Sequence, residues 1–385
     1  MKFQHKPNAG WAKKGIRSIQ KLPVVLMGCV TIATMQSGWL FSQPVSAVVL
    51  PFQTSQTTPH SARDYFERGK EQFERGNYQE ALSDFSQAIR IQPDVVIGYI
   101  YRGRTYAYLE NWQEALNDLN QAAQLDPDNA GIYSFRGLVR QQLEDKDGAI
   151  DDLNLALTLD PALAIAHAQR GIIHQQLENY RQALADFDRA LTLDSNLTYL
   201  YLNRGRVYQQ LGNYQEAIRD LTQFIDSTPN DASAYFFRGA AYMALGNHRE
   251  AIADANRALE LNPNIDRAYL IRSYASLELG NYQEALENAT DAIELNPNEA
   301  WAYFLRAKAW MELQNYEAAL ADISRALEIR PELSEGYLER GRIYLHLGNE
   351  AKARENLQQA ATLARQNENE KLYREVQAVL QGLQE

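Results

Sequence analysis

Apolar residues follow one another at helical spacing along most of the chain, and the pattern of apolar and polar positions itself repeats every 34 residues. Prolines mark the period at 93, 127, 161, 229, 263, 297 and 331, with Ser195 in the one missing place. Registered on them, the sequence divides into nine copies that start at Ala62, Val96, Ala130, Ala164, Thr198, Ala232, Asp266, Ala300 and Ser334, with no insertion between them. A length of 385 residues would suggest two or three domains, but a period this strict signifies a repeat array.

Each copy predicts two amphipathic helices. Helix A covers about 13 residues and ends near a turn that is clearest at Leu211-Gly212-Asn213-Tyr214 and Leu279-Gly280-Asn281-Tyr282, where Gly and Asn tolerate the left-handed conformation that closes a helix. Helix B follows, as in Gln283-Glu284-Ala285-Leu286, and runs to the proline, which cannot continue it cheaply. The Asp or Asn after the proline (Asp94, Asp128, Asn196, Asn230, Asn264, Asn298) is expected to N-cap the next helix A.

Columns of constant residues mark the packing positions. Helix A carries Gly69, Gly103, Gly137, Gly171, Gly205, Gly239 and Gly341 at one place, with Ser273 and Ala307 in the other two copies. Helix B carries alanine at one place in all nine copies, from Ala81 to Ala353. A glycine inside a helix costs up to about 1 kcal/mol, so its recurrence requires a packing reason. The rings of Tyr99, Tyr133, Tyr201, Tyr235, Tyr269, Tyr303 and Tyr337 are expected to fill the complementary spaces.

These residues resemble the tetratricopeptide repeat (TPR), and the resemblance covers about residues 62–367. The family pattern has Trp, Leu, Gly and Tyr on helix A, Ala, Phe and Ala on helix B, and then Pro. Here Tyr, or His167 in the fourth copy, stands in the Trp place. The Leu place is arginine in all nine copies, which makes this a Tyr-x-x-Arg-Gly variant. The resemblance implies an all-α, right-handed superhelical solenoid of helix-turn-helix repeats. It also implies a concave surface, lined by helices A, that takes a peptide or partner segment.

The arginine column needs its own account. Arg68, Arg102, Arg136, Arg170, Arg204, Arg238 and Arg306 are followed sixteen residues later by Asp84, Asp118, Asp152, Asp186, Asp220, Asp254 and Asp322; Arg272 and Arg340 meet Asn288 and Asn356. The co-occurrence favours structural pairs between helices A and B over a ladder that grips an anionic ligand.

On the open face of helix A, the second, fifth, sixth, ninth, twelfth and thirteenth positions vary among copies. Copies three to five carry Gln141, Gln142, Gln169, Gln175, Gln176, Asn203, Gln209 and Gln210 there. Copies six to eight carry Phe236, Phe237, Met243, Leu270, Ile271, Tyr274, Trp301, Phe304, Leu305 and Met311, the kinds of residue that make an exposed hot spot and hence the expected partner-binding groove. Against that, rings at these positions also fill space between adjacent helices A, and about half are expected to be partly buried. The carboxylate clamp of some TPR co-chaperones is absent: Asn203 and Arg206 are present, but Ala168, Ile172, Ser233 and Phe237 stand where its neighbours would be.

Charge narrows the partner. The formal net charge is −11, and all six basic residues before Ala47 lie in a stretch without Asp or Glu, leaving 32 basic and 49 acidic residues in the remainder. Such a body repels phosphate backbones, so nucleic acid is not an expected partner. The single cysteine, Cys29, allows no intrachain disulfide and no thiolate metal cluster. Of the six histidines, His167 and His174 share a helix face but replace aromatics at packing positions, so no metal site is expected. No phosphate loop, nucleophile elbow or HExxH pattern occurs, and the carboxylates follow the repeat; no enzyme activity and no cofactor are expected.

The first residues read as an address. Lys2, Lys6, Lys13, Lys14, Arg17 and Lys21 precede the apolar run Leu22–Met35, and Val45-Ser46-Ala47 offers small residues for cleavage. Residues 1–47 are therefore expected to be a signal peptide, with an uncleaved anchor at residues 22–35 as the alternative. Leu26-Met27-Gly28-Cys29 faintly resembles a lipoprotein box. Every reading places the body outside the cytoplasm, in a periplasm, a lumen or the extracellular space. Residues 48–61 form a linker and residues 368–385 a capping helix with Leu372, Tyr373, Val376, Val379, Leu380 and Leu383 at helical spacing. The expected function is a protein–protein interaction scaffold that binds a peptide or partner protein in the concave groove. The alternative is a non-catalytic recognition module for a polysaccharide or cell-wall polymer, with groove Tyr and Trp as stacking platforms.

Overall fold

A computed structural model of the chain describes residues 61–383; the leader, the proposed anchor and all but the last residue of the linker lie outside the described residues. These form nineteen α-helices and no strand. The A helices are α1 (Ala62–Glu74), α3 (Val96–Tyr108), α5 (Ala130–Gln142), α7 (Ala164–Gln176), α9 (Tyr199–Gln210), α11 (Ala232–Ala244), α13 (Asp266–Glu278), α15 (Ala300–Glu312) and α17 (Ser334–His346). The B helices are α2 (Tyr78–Ile91), α4 (Trp112–Leu125), α6 (Lys146–Leu159), α8 (Tyr180–Leu193), α10 (Tyr214–Ser227), α12 (His248–Leu261), α14 (Tyr282–Leu295), α16 (Tyr316–Ile329) and α18 (Glu350–Gln366). The last helix is α19 (Glu370–Gln381). Two compact units divide at Val207/Tyr208, inside α9. Each is an all-α solenoid of helix-turn-helix repeats. No helix among the described residues is long and apolar enough to cross a membrane.

Helix B buries the same stripe in every copy. In α6 it is Ala149, Asp152, Leu153, Ala156 and Leu157; in α8 it is Ala183, Asp186, Phe187, Ala190 and Leu191. The alanines allow the backbones to approach, and the larger residue between them meets the glycine of helix A. A Cβ placed on Gly171 would stand 2.7 Å from Phe187 Cε1, and one on Gly137 would stand 3.0 Å from Leu153 Cγ and 3.1 Å from the Ala149 carbonyl oxygen. The knob that fills the glycine hole is therefore the Phe or Leu of the same copy's helix B, except at Gly239, which meets the Ala251 carbonyl and Asp254 Cβ directly. The tyrosine column does not fill it, contrary to the expectation from sequence, because those rings lie toward the helix N-terminus and pack elsewhere.

The turn before each helix A also differs from expectation. Its N-cap is the second residue after the proline (Val95, Asn129, Leu163, Asp231, Ile265, Glu299, Leu333). A polar side chain often sits before the proline instead: Asp160 Oδ1 accepts from Ala162 N at 2.9 Å, and Asn262 Oδ1 from Asn264 N at 3.1 Å. Such a side chain closes an Asx turn over a residue that has no N–H of its own to offer.

Copy nine has Arg365 where the proline would fall, so α18 continues to Gln366 and spans 17 residues instead of 14. Helix α19 folds back on it, with Leu372 and Val376 buried against Leu338, Leu357, Ala360, Ala361 and Ala364. Arg342 fixes the docking, donating to Glu339 at 3.0 Å and to Glu375 at 2.7 Å.

The turn from helix A to helix B places one residue in the left-handed region in every copy. Glycine occupies it at Gly76, Gly212, Gly246, Gly280 and Gly348; Glu110, Glu144, Glu178 and Gln314 hold the same conformation in the other copies, at φ between 59° and 61°. A β-carbon makes that conformation cost about 1 kcal/mol. Gly280 has nothing within 4 Å of an added Cβ, so backbone strain alone decides the effect of a substitution there. Glu144→Gly is expected to stabilise by up to about 1 kcal/mol and Gly280→Ala to destabilise by about the same amount. Urea melts of the two variants check the opposite signs.

Candidate functional site

Apart from the exposed Arg68, the arginine column sits half-buried between helices, and most of its guanidinium groups bond on more than one side. Nη2 meets the aspartate of the same copy's helix B at 2.6 Å in Arg68–Asp84 and Arg136–Asp152, at 2.7 Å in Arg102–Asp118 and Arg170–Asp186, and at 2.8 Å in Arg238–Asp254 and Arg306–Asp322. Nε donates to the second carboxylate oxygen in each of these, for example at 2.8 Å from Arg238 to Asp254. In the two copies without an acid, Arg272 and Arg340 donate from Nε to Asn288 and Asn356 at 2.7 Å. Arg204 and Asp220 fall on opposite sides of the boundary between the units.

The remaining nitrogen reaches back one copy. Arg102 Nη1 donates to Ser86 at 3.2 Å, Arg136 to Asn120 at 3.1 Å, Arg170 to Asn154 at 2.7 Å and Arg204 to Asp188 at 2.6 Å. In the second unit Arg238, Arg272 and Arg306 donate to Thr222, Asn256 and Thr290. In every copy but the fourth the guanidinium also lies over a tyrosine three residues earlier, as Arg136 over Tyr133 at 5.1 Å and Arg272 over Tyr269 at 5.1 Å. The tyrosine hydroxyl in turn reaches the preceding proline carbonyl, from Tyr99 to Pro93 at 3.1 Å and from Tyr235 to Pro229 at 3.2 Å. One side chain thus joins its own helix B, the previous helix B and the helix that precedes it. The half-buried arginines held by an aspartate are neutralised by it and offer no free charge to an anionic ligand. The backward bond had a sequence signal, a second polar column at Ser86, Asn120, Asn154, Asp188, Thr222, Asn256 and Thr290.

Burial and pairing oppose each other here. Hydrogen bonding to Asp118 holds Arg102 above the ordinary arginine range, whereas burial pushes the Asp118 carboxyl up despite that arginine. A pair of this kind adds little net stability, but removing one member leaves a buried, uncompensated charge.

The bulky groove residues lie somewhere other than expected. Phe236, Phe237, Met243, Leu270, Ile271, Tyr274, Trp301, Phe304 and Leu305 are all buried, none exceeding 7% exposure, and only Met311 is half-exposed. They are not an exposed hot spot. Consecutive A helices α11, α13, α15 and α17 touch one another, and within single helices the large rings also pack on each other. Phe236 meets Phe237 edge-on at 5.2 Å, and Trp301 meets Phe304 at 5.1 Å. Buried Trp301 and Tyr274 offer no stacking platform for a sugar ring.

The amide set in copies three to five is divided. Gln169, Asn203 and Gln209 are buried, Gln141, Gln175 and Gln210 half-buried, and Gln142 and Gln176 exposed. Two of them join consecutive A helices: Gln175 Nε2 donates to the Asn203 carbonyl at 3.4 Å and Gln209 Nε2 to the Phe237 carbonyl at 2.6 Å. Ser134 donates to Gln169 at 2.8 Å across the same kind of junction. Gln175 Oε1, Gln209 Oε1 and the Trp301 indole N–H are buried without a hydrogen-bond partner.

The fourth copy carries the two histidines. His167 replaces the column tyrosine and does the same work, with Nδ1 3.2 Å from Asp186 Oδ1 and Nε2 3.3 Å from the Pro161 carbonyl. His174 takes the place of Tyr106, Tyr208, Tyr242 and Tyr344; its Nδ1 is buried without a partner, and burial lowers its pKa below the ordinary histidine value. Among the described residues no group of three His, Cys, Asp or Glu is arranged to hold a metal ion.

Family models described as tetratricopeptide repeat match residues 62–95, 130–163, 171–239, 232–265, 272–334 and 334–367, and one described as TPR repeat matches 103–144. No curated protein matches the sequence significantly. Among solved structures, the chain is similar to the APC/C hetero-tetramer Cut9-Hcn1 at 15% identity, covering 85% of this chain and 78% of that one with a TM-score of 0.49. A tetratricopeptide repeat protein from Parabacteroides merdae ATCC 43184 is 22% identical over 64% of this chain and 98% of its own, with a TM-score of 0.46. YrrB, described as a TPR protein with an unusual peptide-binding site, is 23% identical over 51% and 97%, with a TM-score of 0.43.

Two predictions follow from the geometry. Arg238→Met leaves Asp254 buried without its partner and is expected to cost about 3–5 kcal/mol, most of it recovered in the double variant Arg238→Met, Asp254→Leu; equilibrium denaturation of the single and double variants checks this. At His174 the folded state binds a proton less readily than the unfolded state, whose value is near 6.5. Stability is therefore full above that pH and falls on acidification through the lower folded value. His174→Tyr is expected to flatten this part of the pH–stability curve, measured against the parent protein.

Proposed function

We propose, from the premise that the chain belongs to the tetratricopeptide-repeat family, that it is a non-catalytic scaffold that holds a peptide or partner-protein segment against the A-helix face of residues 208–383. The observation that carries this reading is the contrast between columns. The arginine and helix B alanine columns hold one residue type in all nine copies, while the A-helix face changes from copy to copy. Nothing in the shared packing requires that variation, and a partner that meets different copies with different groups does.

Burial of the aromatic set changes how such a face works. Phe236, Leu270, Trp301 and Phe304 form a stiff floor, and the groups at its rim make the contacts. Lys308 and Met311 on α15 are half-exposed, with the Lys308 ammonium 5.9 Å from the Phe304 ring. A preformed floor keeps the ordering cost of binding low.

We place this activity in an exported compartment. That part of the reading rests on the basic leader, the apolar run and the small residues of 1–47.

Affinity capture with the full chain from its native envelope fraction tests the binding face. The double variant Lys308→Glu, Met311→Ser is expected to lose a partner that is retained by the parent chain and by Arg257→Ala, whose side chain is exposed on α12. Identical partners on all three, with the double variant folded, would overturn the A-helix face as the site.

A further inference from the structure

A different surface of the 208–383 unit carries features that neither folding nor the A-helix face accounts for. It is the edge formed by the turns from helix A to helix B. The last residue of each A helix is followed by a leucine, and these leucines are unusually open: Leu211 39%, Leu245 37%, Leu279 40%, Leu313 40% and Leu347 36%. The left-handed residue after each one swings the chain into helix B and leaves the leucine outside the core. A single exposed leucine is ordinary, but one per copy along the same edge is an apolar row. Between the turn at Gly280–Glu284 and Leu313 of the next copy lies a depression of about 480 Å³, with Tyr282 in its wall.

Charge surrounds the row. Glu284 and Glu317 lie in the first turns of α14 and α16, where a carboxylate complements the helix dipole and so has a local explanation. Glu278 and Glu312 do not. They occupy the last turns of α13 and α15, the end at which the dipole disfavours an acid and favours a base, and neither helix has a basic residue in its last turn. Burial, and after it the nearby Glu312 carboxylate, push the Tyr282 phenol above its ordinary value, which puts Glu312 close to the wall of the depression. Acids held against their local interest on both sides of an exposed apolar row describe a surface complementary to a basic, apolar partner.

The spacing selects the shape of that partner. Packed helices lie about 8–10 Å apart, so equivalent leucines of neighbouring copies recur on about that scale. A helix advances about 10.5 Å in seven residues. We propose that the edge of the A-to-B turns docks a basic amphipathic helix of a partner protein. Its apolar residues, one in every seven, seat against Leu279, Leu313 and Leu347. Its lysines and arginines face Glu278, Glu284 and Glu312.

The test uses the full chain and a labelled helical peptide of about three heptads, with Leu at every seventh position and Lys flanking each Leu, read by fluorescence anisotropy. The expected result is saturable binding that weakens about tenfold in Leu279→Ser, Leu313→Ser and again in Glu278→Gln, Glu312→Gln. The second variant keeps the edge leucines and so separates lost charge from any change in folding, which melting curves report for both. Equal affinity for a peptide with the leucines changed to Ser would reduce the interaction to bulk charge and overturn the proposal. Unchanged binding by both edge variants would do the same, as would loss of binding only in Lys308→Glu, Met311→Ser, which would move the peptide to the A-helix face. A failure here leaves the envelope capture by that face unaffected, since the two experiments read different variants.

Discussion

A hairpin of 34 residues cannot bury enough apolar surface to offset the entropy of ordering itself, so each copy of this chain is stable only against its neighbours. The arginine column is how the sequence enforces that dependence with direction. A bidentate grip on the aspartate of its own copy closes the hairpin, and the third nitrogen, reaching Ser86, Asn120 or Thr222 in the copy before, fixes how the next hairpin is set down. A leucine in that place would supply burial but no such geometry. Guanidinium is suited to the task because its donors are planar, fixed in direction and permanently charged.

Aromatic and glycine columns divide the remaining work. Glycine brings helix A within reach of the Phe or Leu of helix B, as Gly171 does for Phe187. Tyrosine lies against the arginine on one side and the proline carbonyl on the other, so the ring supports the staple. In the fourth copy His167 keeps the bond to the proline carbonyl and adds a contact of its own to the Asp186 carboxylate. That copy also carries His174, whose buried Nδ1 has no partner and whose pKa burial lowers.

Function follows from what the stack leaves over. Large side chains on the A helices of copies six to eight are drawn inward because consecutive A helices approach closely enough to be filled by them, so the face is a floor with a rim. The turn edge is left over for a different reason: each chain reversal ends helix A one residue before its leucine can turn in. The two surfaces differ in chemistry as well as position, one an apolar floor rimmed by Lys308 and Met311, the other a leucine row among acids.

The repeat, its two helices, the Arg–Asp columns and the capping helix were all legible in the sequence, because each is a periodic demand that packing makes on every copy. The tenfold list of groove residues was not resolved in the same way: Phe237 or Leu305 reads as an exposed anchor until the distance between consecutive A helices is known, and that distance is a property of the stack. The same limit applied to the turn before helix A, where the residue before the proline, Asp160 or Asn262, closes the turn, and to the glycine hole, filled by Phe187 where Tyr was expected. Sequence fixes which positions must be small, charged or apolar, since one hairpin's own geometry imposes that. Only the packed array decides which of the variable positions still face water, since a neighbour one copy away covers them.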